Sequence, residues 1–158
     1  MASPAPDRIA TMLSLRAEMM AENLLAIVAQ EQRRGPSLVF AHNAHLQRVQ
    51  SHMPVGEDEV SWCSAGALVG LTLGERYVFL ATDASPNSDP GTLQDVLAEA
   101  TTRRALFPAP ALRAALPPSI GTGEPIVPGH LPLNPAELDG ADAVIFIADT
   151  DGKRHQYW

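Results

Sequence analysis

Ser37-Leu38-Val39-Phe40-Ala41-His42-Asn43-Ala44-His45 decides how the rest of the chain is read. Its first five residues form a short, continuous apolar run entered from Gly35-Pro36. Such a run reads as a strand buried on both faces, the pattern of a parallel sheet. The strand then stops at a polar turn. In open parallel sheets, ligands bind at the carboxyl ends of strands, so His42, Asn43 and His45 fall where chemistry is expected.

Upstream, Ile9, Met12, Leu13, Met19, Met20, Leu24, Ile27 and Val28 recur at three- and four-residue steps from Asp7 to Arg34, with no Pro or Gly between. This predicts one long helix, capped by Asp7 and closed by Arg33, Arg34 and Gly35-Pro36. Downstream, residues 50–63 hold Ser, His, Pro, Gly and the acids Glu57, Asp58 and Glu59. They read as a mobile loop anchored by Trp62. Ser64 to Leu73 reads as a helix capped by Ser64 and ended by Gly74, and Tyr77 to Thr82 as a second apolar strand. Strand, helix, strand in that order implies a right-handed crossover and a parallel pair.

Beyond a polar loop at 83–91, Thr92 with Asp95 has the form of a capping box, opening a helix to about Ala105. Pro- and Gly-rich residues 117–135 read as an irregular segment, Pro135 to Leu138 as a turn of helix, and Ala143 to Ala148 as a last strand. No internal repeat occurs. The expected class is α/β, a partial and mostly parallel sheet with flanking helices, in one domain spanning 1–158.

The 158 residues are 46% hydrophobic and 18% charged, and no apolar run approaches the ~20 residues needed to span a bilayer. The first residues lack a secretory pattern and Cys63 stands alone, so a cytoplasmic, membrane-free protein without disulfides is expected. The formal net charge is −7, and the 11 Lys and Arg are scattered. That argues against nucleic acid, whose phosphates require clustered cations.

The turn offers a general base, an amide and a second imidazole within four residues, suited to proton transfer or oxyanion stabilisation. The plainer alternative is that one His caps local backbone. Zinc held by His42, His45 and His52 is a further reading, but no Cys or carboxylate stands at a recognisable interval to complete a site, so no metal or other cofactor is expected. On the helix, Arg16, Met20, Asn23 and Ile27 share one face. Arg16 either extends to water or points into the site to hold a polar substrate group, and Asn23 has the same two readings. Cys63 has no partner pattern and Gly-x-Ser-x-Gly is absent, which argues against a covalent serine or cysteine hydrolase. Gly66, Gly70 and Gly74 at four-residue steps read as close packing and not as a phosphate loop.

Three fragments in order, Arg16-x-x-x-Met20-Ala21-Glu22-Asn23, then Val39-Phe40-Ala41-His42-Asn43-Ala44-His45, then Gly66 followed by Leu73-Gly74-x-x-Tyr77, resemble the erythromycin esterase family, and Ala141 to Ile147 is similar to its last strand. Members hydrolyse esters, in the named cases the lactone of macrolide antibiotics, with a His and a Glu activating water and no metal. The resemblance therefore implies a macrolide-resistance type of hydrolase with a small-molecule ester or lactone substrate. His42, His45 and Arg16 would line the cleft as catalytic residues. Asn23, Asn43 and Met20 would contact substrate, the two Asn as supporting hydrogen-bonders.

The departures limit that expectation. Ala17, Phe40 and Ala65 stand where an acid, Trp and Met are usual in the family. The resemblance covers the family's C-terminal portion, and its Gly-Glu-x-His-Gly-like turn bearing the water-activating His has no counterpart. A truncated or split form is thus expected, with little activity alone, an exposed sheet edge and an uncovered apolar face. A second chain supplying the missing half is the implied partner. The competing expectation is a non-catalytic small α/β binding or assembly protein, or a degraded gene product.

Overall fold

The computed structural model describes residues 6–85 and 89–150. They fall into two compact units, divided between Phe79 and Leu80. The chain is α/β, with helices and two small sheets. Among the described residues no helix is long and apolar enough to cross a membrane.

In the first unit, α1 spans Pro6–Glu31. It starts one residue earlier than the sequence implies, with Pro6 in the first turn and Asp7 inside it, accepting a 2.8 Å hydrogen bond on its carbonyl from Thr11 Oγ1. The helix ends as Arg34 N–H turns back to the Glu31 carbonyl, and Gly35 follows at φ +122°. Ala17 and Ala21 are buried on one face, with Leu13, Met20, Leu24 and Leu25 around them. Small residues there let the helix approach Trp62, Ala65 and Val69 closely. Two elements supply those partners. The α3 helix, Ala65–Leu73, is capped as expected by the Ser64 hydroxyl, which accepts from Ala67 N–H at 3.0 Å, and ends at Gly74. The other is a hairpin.

That hairpin replaces the expected loop at 50–63. β1, Ser51–Val55, pairs antiparallel with β2, Asp58–Trp62, across the two residues Gly56 and Glu57. Gly56 sits at φ +67°, the conformation that the first central position of a tight hairpin turn requires. The run of acids obscured the strand, yet Glu59 is exposed while Val60 and Trp62 are buried on the α1 side of the ladder. Pro54 is tolerated because a two-stranded ribbon leaves every strand an outer edge. A Cβ at Gly56 would meet nothing within 4 Å, so Gly56→Ala tests backbone conformation alone. It is expected to destabilise the unit by about 1–2 kcal/mol in urea unfolding.

The expected strand at Ser37–Ala41 does not form. Leu38 is 95% and Phe40 92% exposed, and the segment joins no ladder. An apolar run records a need for burial without naming the neighbour that meets it. A strand buried on both faces requires partners at both edges and a layer on each side, and among the described residues the first unit's sheet is the two-stranded β1–β2 ribbon.

The second unit carries the parallel pair, in which the expected second strand is joined by the last one and not by residues 37–41. β3, Leu80–Ala84, runs parallel to β5, Ala143–Ile147, and β4, Arg104–Pro108, lies antiparallel on the far side of β5. The sheet order is β3-β5-β4. β3 thus begins three residues later than the apolar run implied. β5 is central, and Val144 and Phe146 are fully buried, as its unbroken apolar run requires. The Thr92-capped helix α4 is shorter than expected, Leu93–Glu99, because residues 104–108 are drawn into the sheet as β4. Helix α5, Ala109–Ala115, follows directly. Residues 117–134 hold no helix or strand beyond one isolated bridge from Gly121 to Thr92. A 3-10 turn at Pro135–Gly140, closed by an Asn134–Glu137 capping box, stands where a turn of helix was expected.

Candidate functional site

The turn after residue 41 winds into a single helical turn, α2, Asn43–Leu46. His42 is its N-cap, at φ −62° and ψ 143°, and its Nδ1 accepts from Ala44 N–H at 3.2 Å. His42 therefore does what the plainer sequence reading assigned to one imidazole. That bond commits Nδ1 as an acceptor, so the neutral ring carries its proton on Nε2.

His45 lies one turn on, half-buried, with its ring edge-on to that of His42 at 6.5 Å between centroids and 71° between planes. Its pKa is lowered from 6.5, first by burial, then by the Arg16 guanidinium, then by His42. Each cause disfavours a second positive charge. Arg16, on α1, is thus brought to His45 although the two lie 29 positions apart in the sequence. Its own flank of α1 is exposed and apolar, with Met12, Leu15 and Met19 around it.

A group whose folded pKa is depressed takes up a proton more readily when unfolded. The stability it contributes is full above the unfolded value and declines as pH falls through 6.5 toward the folded value. Arg16→Gln removes the second cause and leaves the first. The His45 titration midpoint, followed by NMR of the ring, is expected to rise yet stay below 6.5. An unmoved midpoint would place the Arg16 charge elsewhere.

The remaining sequence candidates separate. Met20 is partly buried against the core cluster of Ala17, Trp62 and Val69. Asn43 is buried, with its carbonyl accepting from Gln47 N–H at 2.9 Å. Asn23 is exposed on α1, seven residues or about 10 Å along the axis from Arg16. His52 lies on β1, where Nδ1 is 3.0 Å from Ser61 Oγ. Among the described residues no group of three or more His, Cys, Asp or Glu is placed to hold a metal ion.

Buried side chains fasten α2 from below. Ser51 Oγ donates to the Ala44 carbonyl at 2.6 Å and accepts from Gln47 Nε2 at 2.8 Å, while Ser64 Oγ donates to the Gln47 carbonyl. A one-turn helix cannot sustain itself, so these bonds fix where its imidazoles stand.

A second polar constellation, in the other unit, escaped the sequence reading. Asp83, with its side chain fully buried near the end of β3, accepts from Gln94 Nε2 at 2.7 Å, Leu133 N–H at 3.0 Å and Ala84 N–H at 2.8 Å. His130 Nε2 stands 3.1 Å from the same carboxylate, and its Nδ1 accepts from Ile126 N–H. Gln94 Oε1 in turn accepts from Gly123 N–H at 2.7 Å. These groups satisfy one another. They hold the irregular 117–134 segment to the sheet, and the one available signal was a lone acid at the end of an apolar strand.

No curated protein and no solved structure matches the chain. The erythromycin esterase family model, by contrast, matches residues 2–150, a stretch that takes in Arg16, the His42–His45 turn, the Asp83 network and β5. With nearly the whole sequence accounted for by that one model, the chain belongs to the erythromycin esterase family.

Proposed function

We propose that Arg16 and the His42–Leu46 turn form the substrate-holding part of a site that hydrolyses carboxylic esters, lactones such as macrolides among them. The observation that carries this reading is the half-buried His45 ring, edge-on to His42, where burial and the Arg16 charge lower its pKa and so favour the uncharged form. A neutral imidazole at working pH donates one N–H without an added charge, and Arg16 offers a fixed fork of donors for a carbonyl oxygen. Both act on the charge that develops when water adds to the carbonyl carbon. The C–O bond then breaks, releasing a carboxylic acid and an alcohol. Met12, Leu15 and Met19 beside Arg16 suit a substrate with a large apolar body.

Water needs a base. His42 has Nδ1 committed to the Ala44 amide and serves in this reading as a donor through Nε2. The family's water-activating His then comes from polypeptide outside residues 1–158, on this chain or on a second one. The exposed Leu38 and Phe40 support such an association, and they equally favour the runner-up, a non-catalytic assembly role.

Binding distinguishes the two. Titrating a macrolide lactone against protein carrying ¹⁵N-labelled His is expected to shift the ring signals of His45 and His42 while sparing His52, and Arg16→Ala is expected to suppress the shift. Signals at 42–46 that stay fixed at saturating lactone would leave the assembly reading in place.

A further inference from the structure

We propose that Tyr77 and Gly66 are positioning residues for His45, acting by pinning the carbonyl of the residue that follows it. The inference rests on the reading of His45 as a substrate-holding group. Leu46 is the last residue of α2, and a helix of one turn leaves its final carbonyls without helical partners. The Leu46 carbonyl is met from two directions. The Tyr77 hydroxyl donates to it, from a residue 31 positions along the chain. On the other side stands the backbone of α3 at Gly66, so close that a Cβ built there would lie 1.8 Å from the same oxygen.

Tyr77 is itself held. The Arg48 guanidinium lies over its ring at 5.4 Å from the centroid and donates through Nη2 to the Tyr77 carbonyl. Gly70, one turn beyond Gly66, differs: a Cβ there would make ordinary contacts with Tyr77 Cδ1 at 3.6 Å and Arg48 Cγ at 3.8 Å. The requirement for a bare backbone is therefore specific to Gly66. The Leu46 oxygen belongs to the peptide joining residues 46 and 47, which closes the single turn that carries His45, so clamping it fixes that turn and with it the imidazole against Arg16 and His42.

The test reads His45 directly. Tyr77→Phe keeps the ring under Arg48 and removes only the donor. By ¹H–¹⁵N NMR of the His rings, it is expected to shift the His45 resonances and move the His45 titration midpoint upward toward 6.5 as the ring gains solvent, with His52 and His130 unchanged. Gly70→Ala is expected to leave His45 as in the parent protein, and Gly66→Ala to displace it. Should Gly66→Ala fail to fold, Tyr77→Phe still decides the matter, since it alters a single hydroxyl. A folded Tyr77→Phe protein with unmoved His45 signals overturns the proposal. Because the readout is the imidazole and not turnover, absence of ester hydrolysis with a displaced His45 would remove the functional reading and leave the clamp.

Discussion

Asp83→Ala is expected to lower the unfolding free energy of the second unit by about 3–5 kcal/mol, since it leaves several buried donors without an acceptor at about 1–3 kcal/mol each. The size follows from what is stranded. Leu133 N–H loses its acceptor, and Gln94 Nε2 and His130 Nε2 each lose one beneath the surface. Domain stabilities are commonly ~5–15 kcal/mol, so this one substitution removes a large share. Asp83→Asn preserves the shape but turns one oxygen into a donor that faces other donors. It is expected to fall between, at about 1.5–3 kcal/mol. Urea unfolding measures both. A loss below ~1 kcal/mol for Asp83→Ala would mean that the 117–134 segment is held by other contacts.

The second large effect concerns catalysis. In a preparation supplied with the family-type segment that bears the water-activating His, His45→Ala is expected to reduce kcat for ester hydrolysis by about 10²- to 10³-fold, the usual loss for one donor to a developing oxyanion. KM should change little, because the donor strengthens chiefly as the carbonyl oxygen gains charge. Arg16→Ala, which also removes a ground-state hydrogen-bonding fork, is expected to raise KM as well. Steady-state kinetics on a chromogenic ester separates the two patterns. Equal kcat in His45→Ala and parent would remove His45 from the reacting centre.

Much of the architecture is legible in local pattern. The uninterrupted three-four spacing of α1, the Ser64 cap and Gly74 end of α3, the Thr92 cap of α4 and the apolar run of β5 all act within a few residues, where side-chain and backbone preferences are decided. The hairpin 51–62 was hidden because Pro54 and three consecutive acids mimic a loop, and only Gly56 marks the turn. Segment 37–41 shows the opposite failure, an apolar run whose partners lie outside anything local pattern can name.

The site divides in the same way. His42 and His45 are neighbours in sequence, and their turn was visible at once. The place of Arg16 on α1 leaves it between solvent and the site, and the family resemblance alone favours the site, since no periodicity on a helix reveals what lies opposite. The Asp83 network joins residues 11, 47 and 50 positions apart, and the Tyr77 clamp spans 31. Contacts at such separations come from packing and leave no spacing to read.

Ester hydrolysis by residues 1–158, measured with and without a segment carrying the family's water-activating His, tests the central claim most directly. Turnover is expected only in the combined preparation, and there it should depend on His45 and Arg16. Full hydrolysis by residues 1–158 alone, or a combined preparation with both parts folded, bound to each other and inactive, would contradict it.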